Sequence, residues 1–172
     1  MNSEREFVPL GIGVLTVSDS RTPATDKSGD LLVARLSGAG HKLIERLIVP
    51  DDIAAIRAAV ARWIADDGIN AVLTTGGTGI TGRDGTPEAL EPLFEKRIDG
   101  FGEMFRMISF EDIGTSSLQS RCVAGVANST FVFALPGSTN ACATGWDRII
   151  SAQLDYRTKP CNLVELMPRL QE

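Results

Sequence analysis

Thr74, Thr75, Gly76, Gly77, Thr78 and Gly79 follow one another, and Asp84 stands five residues further on. A short apolar run, residues 70–73, precedes this segment, and Thr86, Pro87 and Glu88 open what reads as a helix. A strand that empties into a glycine- and hydroxyl-rich loop offers bare backbone N–H groups to an anion, most often a phosphate. A carboxylate beside such a nest repels the same anion unless a cation or a proton transfer joins the two. The combination points to nucleotide or phosphoester chemistry. The loop is neither a P-loop, because it lacks the Gly-Lys-Ser/Thr ending, nor the G-x-G-x-x-G dinucleotide fingerprint.

Several side chains near such a site are open to two readings. Asp84 either binds a divalent cation or caps the helix at Thr86. Asp51 stands where an N-cap belongs, or it is a second carboxylate for magnesium. Asp19 caps a turn or lines a crevice. Ser138 and Asn140 cap a helix, or hold a ligand at its positive end. The hydroxyls of Ser18 and Thr74 read equally as strand-end donors. His41, the single histidine, reads as structural, and Cys122, Cys142 and Cys161 as small core fillers.

The elements that must position these groups follow from periodicity. Residues 10–17, 41–49 and 70–75 read as strands, and 27–38, 53–64, 100–113 and 141–154 as helices. Residues 122–126 and 130–135 form a candidate hairpin around Asn128 and Ser129, and 162–167 a short terminal helix. The order β-α-β-α-β-loop-α-α-β-β-α predicts one α/β domain over residues 1–172. It would have three layers (αβα) and a mostly parallel sheet with an antiparallel edge hairpin. Residues 1–8 read as a flexible arm. Ligands of such sheets bind beyond the carboxyl ends of the strands. Residues 18–21, 50–52, 75–84 and 136–140 all fall there and are expected to converge on one crevice.

Composition narrows the partners. A net charge of −5 supplies no basic field for nucleic acid or an acidic membrane surface. Three scattered cysteines argue against a disulfide framework or structural zinc. No apolar run approaches the roughly 18 residues of a membrane span, and the first residues lack a signal-peptide core. A cytoplasmic location is the expectation.

On residues 16–20, 49–52, 74–79, 83–84, 86–89, 100–106 and 135–137, the chain resembles the MoaB/MogA family of molybdenum-cofactor biosynthesis proteins, over nearly its whole length. The run from Leu135 through Pro136, Gly137, Ser138 and Asn140 resembles the MoaB branch, as does the tail from Lys159. The resemblance implies a molybdopterin-binding domain. In the catalytic members the molybdopterin phosphate attacks the α-phosphate of Mg-ATP and pyrophosphate leaves. Carried over, Asp51 and Asp84 are the two essential carboxylates and the magnesium site. Thr75, Gly76, Gly77, Thr78 and Gly79 cradle the pterin phosphate. Ser18 and Asp19 belong to the pocket wall, and Pro136, Gly137 and Ser138 to the ligand crevice. It also implies a homo-trimer or homo-hexamer, with contacts sought around Phe105, and partners among other cofactor-biosynthesis proteins. Three functions stay open: a molybdopterin adenylyltransferase using ATP and Mg2+, a carrier of molybdopterin or its precursor, and a scaffold.

Overall fold

The computed structural model describes residues 5–172. Seven consecutive buried residues, Gly11–Val17, make β1. β2 (Lys42–Val49) and β3 (Ala71–Thr75) flank it in parallel, and β6 (Thr130–Leu135) continues the parallel set beside β3. Then come β5 (Ala124–Ala127) and β4 (Lys96–Arg97), each antiparallel to its neighbour. The six strands lie in the order β2-β1-β3-β6-β5-β4. The expected parallel sheet with an antiparallel edge is therefore present. The hairpin turns at Asn128 (φ 47°) and Ser129 (φ 65°), the two positive-φ positions that a two-residue turn matched to strand twist requires.

Strands buried on both faces need a helix layer on each. One layer is α1 (Lys27–Gly38), α4 (Asp99–Ile113) and α5 (Thr139–Gly145). Leu32, Leu36, Phe101, Phe105 and Trp146 pack there on Ile12, Val14, Leu73 and Phe133. The other layer is α2 (Ile53–Ile64) and the short α3 (Thr86–Leu90), whose Ile56, Val60, Trp63 and Leu90 cover Leu15, Val72 and Val132. Each such fully buried side chain contributes about 1.5–3 kcal/mol relative to exposure. His41 is structural: Nδ1 accepts from Leu10 N at 3.2 Å, and its ring packs edge-on against Trp146.

Four expectations are corrected. Residues 5–8 are held against the body, through Arg5 to Glu165 (2.7 Å) and Phe7 on His41, because a cation and an aromatic ring both find partners there; residues 1–4 of the expected arm lie outside the described residues. Cys161 is exposed, whereas Cys122 and Cys142 fill the core. Phe105 and Ile108 face inward, so the outer apolar face of α4 is Met104, Met107, Phe110 and Ile113, all exposed. The terminal helix is a 3-10 segment, Val164–Arg169, with Pro168 inside it.

Asp26 ties the carboxyl end of β1 to the start of α1 and to β2. It caps α1 through Gly29 N (3.0 Å), accepts from Thr16 Oγ1 (2.7 Å) and pairs with Arg46 (2.7 Å) while almost wholly buried. Burial alone would raise its carboxyl, but the bonds from Arg46, Thr16 and Gly29 outweigh that and hold it below the ordinary value. Asp26→Ala removes the contacts to Arg46, Thr16 and Gly29 at once, leaves Arg46 paired with Asp30 alone (2.7 Å), and is expected to cost about 3 kcal/mol in urea unfolding at neutral pH. For a depressed carboxyl the stabilisation is complete above the unfolded value and is lost as pH falls through the folded one. The gap between wild type and Asp26→Asn should therefore narrow below about pH 4, the ordinary carboxylate range. A gap that does not change with pH would remove the ion pair from the account.

Candidate functional site

At the carboxyl ends of β1, β3 and β6 the chain leaves a cleft of about 500 Å³. Residues from all four expected segments meet on it: Ser18, Asp51, Thr75 to Gly79 with Asp84, and Pro136 with Gly137. Their convergence has a plain cause: parallel strands of one sheet deliver their following loops to one edge.

The glycine loop is rigidly held. Gly76 (φ 103°) and Gly77 (φ 68°) take backbone angles that a side chain rarely adopts. A Cβ on Gly76 would overlap the Val17 carbonyl oxygen, and one on Gly77 would overlap Thr86 Oγ1. Thr86 donates its hydroxyl to Gly76 O (2.8 Å) and its amide to Gly77 O (3.0 Å). Arg121 gathers the rest. Its amide donates to Thr78 O (2.9 Å), Nε to Gly79 O (2.7 Å) and Nη2 to Asp84 O (3.1 Å), and the guanidinium also pairs with Glu88. The loop's carbonyls are thus occupied. The amides of Gly77 and Thr78 donate to no protein acceptor among the described residues. Free amides on a fixed loop make an anion nest.

Both carboxylates border this nest. A Cβ on Gly77 would lie 3.3 Å from Asp51 Oδ1, and one on Gly79 would lie 2.7 Å from Asp84 Oδ2. Asp51 does not cap α2. Asp52 does so, accepting from Ala55 N at 2.8 Å, and this frees Asp51 to face the cleft. Asp84 does not cap α3 either. Its Oδ2 accepts from Thr81 N (2.9 Å) and Thr81 Oγ1 (2.6 Å), the latter the main cause of its lowered carboxyl pKa. Desolvation raises the Asp51 carboxyl, the charges of Asp19 and Asp84 raise it further, and Arg83 partly offsets them. Converging negative charge beside hard oxygen donors suits a magnesium ion. Among the described residues no three or more His, Cys, Asp or Glu side chains gather to hold a metal. Such an ion would draw its remaining ligands from water and from the phosphates of its own substrate.

Other expected residues fall differently. Asp19 sits at the rim, where Oδ1 accepts from Asp51 N (3.0 Å) and Oδ2 pairs with Arg83 (2.5 Å). The Ser18 hydroxyl accepts from Ser20 N and Arg21 N, so it shapes the loop. The Thr75 hydroxyl turns into the core, toward Pro136 O (2.8 Å) and Cys142 Sγ (3.1 Å), so only its backbone reaches the cleft. Burial pushes the Cys142 thiol up to about 11, which keeps it a neutral filler. Ser138 caps α5 through Ala141 N and lines a neighbouring cavity rather than the cleft, because its oxygen is committed to the helix end. Sequence reasoning missed Asp26, Ser28, Gln119 and Ser120 on the wall. Asp26 was readable as the cap of α1. Ser28, which holds Gly137 O at 2.8 Å, and the pair after α4 carried no local signal.

The carboxyl edge of the parallel sheet thus carries free loop amides with two carboxylates beside them in one cleft, an arrangement of an α/β domain that could hold an anion. The match with known proteins narrows this. Residues 13–156 match the family described as "Probable molybdopterin binding domain". The chain is 56% identical over 157 residues to molybdenum cofactor biosynthesis protein B of Escherichia coli (strain K12), covering 91% of this chain and 92% of that one. A crystal structure of a molybdenum cofactor biosynthesis protein B superposes with a TM-score of 0.85 at 44% identity, over 87% of this chain and 94% of that one. The tungsten cofactor synthesizing protein MoaB of Pyrococcus furiosus gives 0.79 at 36% identity, over 95% and 98%. The chain belongs to the MoaB/MogA family of molybdenum-cofactor biosynthesis proteins. Among its described residues no helix is long and apolar enough to cross a membrane.

Proposed function

We propose that this chain binds molybdopterin and adenylylates it with Mg-ATP. One observation carries the reading: Asp51 and Asp84 both border the free amides of the glycine loop within a single cleft. The cleft also adjoins a second cavity through Ser120 and Pro136, which leaves room for two ring systems. An oxygen of the pterin phosphate would form a bond to the α-phosphorus of ATP. The bond from that phosphorus to the bridging oxygen breaks, and pyrophosphate leaves with the electron pair.

Such a transfer needs positioning and charge neutralisation more than a side-chain nucleophile. The amides of Gly77 and Thr78 would hold the pterin phosphate in line. Asp51 and Asp84 would hold magnesium, which neutralises phosphate charge. Arg83, tied to Asp19 at the rim, would keep the acidic wall in place. The reading extends to a homo-trimer or homo-hexamer joined through the outer face of α4, where Met107 and Ile113 stand exposed.

Purified protein incubated with molybdopterin, ATP and magnesium tests the reading by chromatography for adenylylated pterin. Binding of molybdopterin with no product under any metal condition would make it a carrier instead. Chelation should separate catalysis from folding. EDTA is expected to stop product formation and leave the thermal midpoint unchanged, because the metal arrives with the nucleotide. A midpoint that drops on chelation would show a structural metal and count against this site.

A further inference from the structure

A trans peptide points its C=O and the following N–H in opposite directions. A donor that fixes the carbonyl of one residue therefore aims the amide of the next. Two residues outside the glycine loop do this, and they divide its carbonyls between them. Thr86 takes the first two: its hydroxyl donates to Gly76 O (2.8 Å) and its amide to Gly77 O (3.0 Å). That fixes the amides of Gly77 and Thr78, the two that form the nest. Arg121 takes the next two. Its backbone amide donates to Thr78 O (2.9 Å), which aims the Gly79 amide, and its Nε donates to Gly79 O (2.7 Å).

The Gly79 amide serves a different group from the nest. A Cβ on Gly79 would lie 2.7 Å from Asp84 Oδ2. The Thr81 hydroxyl is the main cause of the lowered Asp84 carboxyl, and the amides of Thr81 and Gly79 and the Arg121 charge add to it against desolvation. The guanidinium then bridges Gly79 O and, through Nη2, Asp84 O (3.1 Å), the two ends of the turn that carries this carboxylate. Its remaining nitrogen, Nη1, pairs with Glu88 in the first turn of α3, which sets the plane of the fork. Behind Arg121 lies an open cavity of about 500 Å³, lined also by Glu88, Arg106 and Cys122.

We infer that Arg121 is a positioning residue that places the Asp84 carboxylate for a divalent cation, while Thr86 places the amides that take the phosphate; the inference rests on the magnesium and phosphate reading of the main cleft. The two halves of the site are thus set by separate supports. Lysine at 121 would keep the charge and the backbone bond to Thr78. It offers one point donor where arginine offers a planar fork, so it cannot bridge both carbonyls in a fixed geometry. The turn that carries Asp84 would then drift while the nest, held by Thr86, keeps its shape. Removing the side chain altogether leaves a hole that a small guanidinium compound can enter from the cavity behind.

Two titrations on the full chain separate the supports. Manganese in the presence of ATP, followed by electron paramagnetic resonance, reads the carboxylates. Inorganic phosphate without metal, followed by phosphorus NMR relaxation, reads the amides. Arg121→Lys is expected to weaken manganese by about 10-fold and to leave phosphate affinity within about 2-fold of wild type. Thr86→Val, which loses the bond to Gly76 O, should do the reverse. Glu88→Gln should shift manganese in the same direction as Arg121→Lys, by less. In Arg121→Ala, millimolar methylguanidinium should restore manganese affinity and methylammonium should not, whereas a general loosening of the fold would not tell the two cations apart. Wild-type manganese affinity in Arg121→Lys, an equal loss of both ligands in either variant, or no rescue by methylguanidinium overturns the inference. So does a wild-type chain that binds no phosphate or takes up no manganese with ATP. Separate effects on the two ligands, with no adenylylated pterin formed by wild type, would instead sink the transferase and keep the positioning role.

Discussion

Asp84→Asn is expected to lower adenylyl transfer by about 10³-fold or more while molybdopterin still binds. Asparagine keeps the size and one acceptor of the side chain, and its amide oxygen can still accept from Thr81, so the loop should hold its shape. What disappears is a negative charge beside Gly79, where in the proposed transfer the attacking and leaving phosphates would need a cation between them. The pterin phosphate, which the amides of Gly77 and Thr78 would hold in the proposed complex, would lose nothing direct. Asp51→Asn should act similarly, because in the proposed site both carboxylates would serve one ion. The double variant should then be scarcely worse than either single one, as for groups that act as a unit. Product formation and pterin titration on the three variants decide the matter. Activity in Asp84→Asn equal to wild type would refute its role, and independent multiplicative losses would mean that the carboxylates work apart.

Gly76→Ala should be strongly destabilising. The residue sits at φ 103°, and the added methyl would overlap the Val17 carbonyl oxygen, which is backbone and cannot rotate away. Strain and overlap together are expected to cost about 3 kcal/mol or more. For a domain of this size that lowers the midpoint by about 6–12 °C. Gly82→Ala is the matched control, since a methyl there meets nothing within 4 Å and the backbone angle is ordinary. It should be neutral or stabilising by up to about 1 kcal/mol. Thermal melts of the two variants side by side suffice. Near-equal midpoints would show that the loop can relax and is not the fixed cradle described above.

The parallel strands were legible because each is a run of apolar residues buried on both faces, ending in a polar or glycine-rich stretch. Strand β4 was not legible: two residues, Lys96 and Arg97, both exposed, carry no pattern, and only pairing with Gly125 and Val126 makes them a strand. The glycine loop and the crevice it opens on were readable for the same reason as the strands, since topology delivers loops to one edge. What a hydroxyl does once delivered was not readable. Thr75 and Ser138 turn to the core and to a helix end because acceptors or donors far away in sequence, or three residues on, compete for them. Two adjacent aspartates at 51 and 52 offered one cap and one free carboxylate, and the choice between them rests on backbone angles that composition does not encode. Gln119 and Ser120 join the wall only because α4 packs where it does, a contact between distant parts of the chain.

Arg121 lies outside the glycine loop in sequence and yet ties down Thr78, Gly79 and Asp84 at once. A guest arriving at this cradle has no floppy segment to freeze, so little of its intrinsic attraction is spent on ordering the host. Phosphorylated compounds of similar charge should then dock at comparable speeds, and selectivity among them would be expressed as residence time.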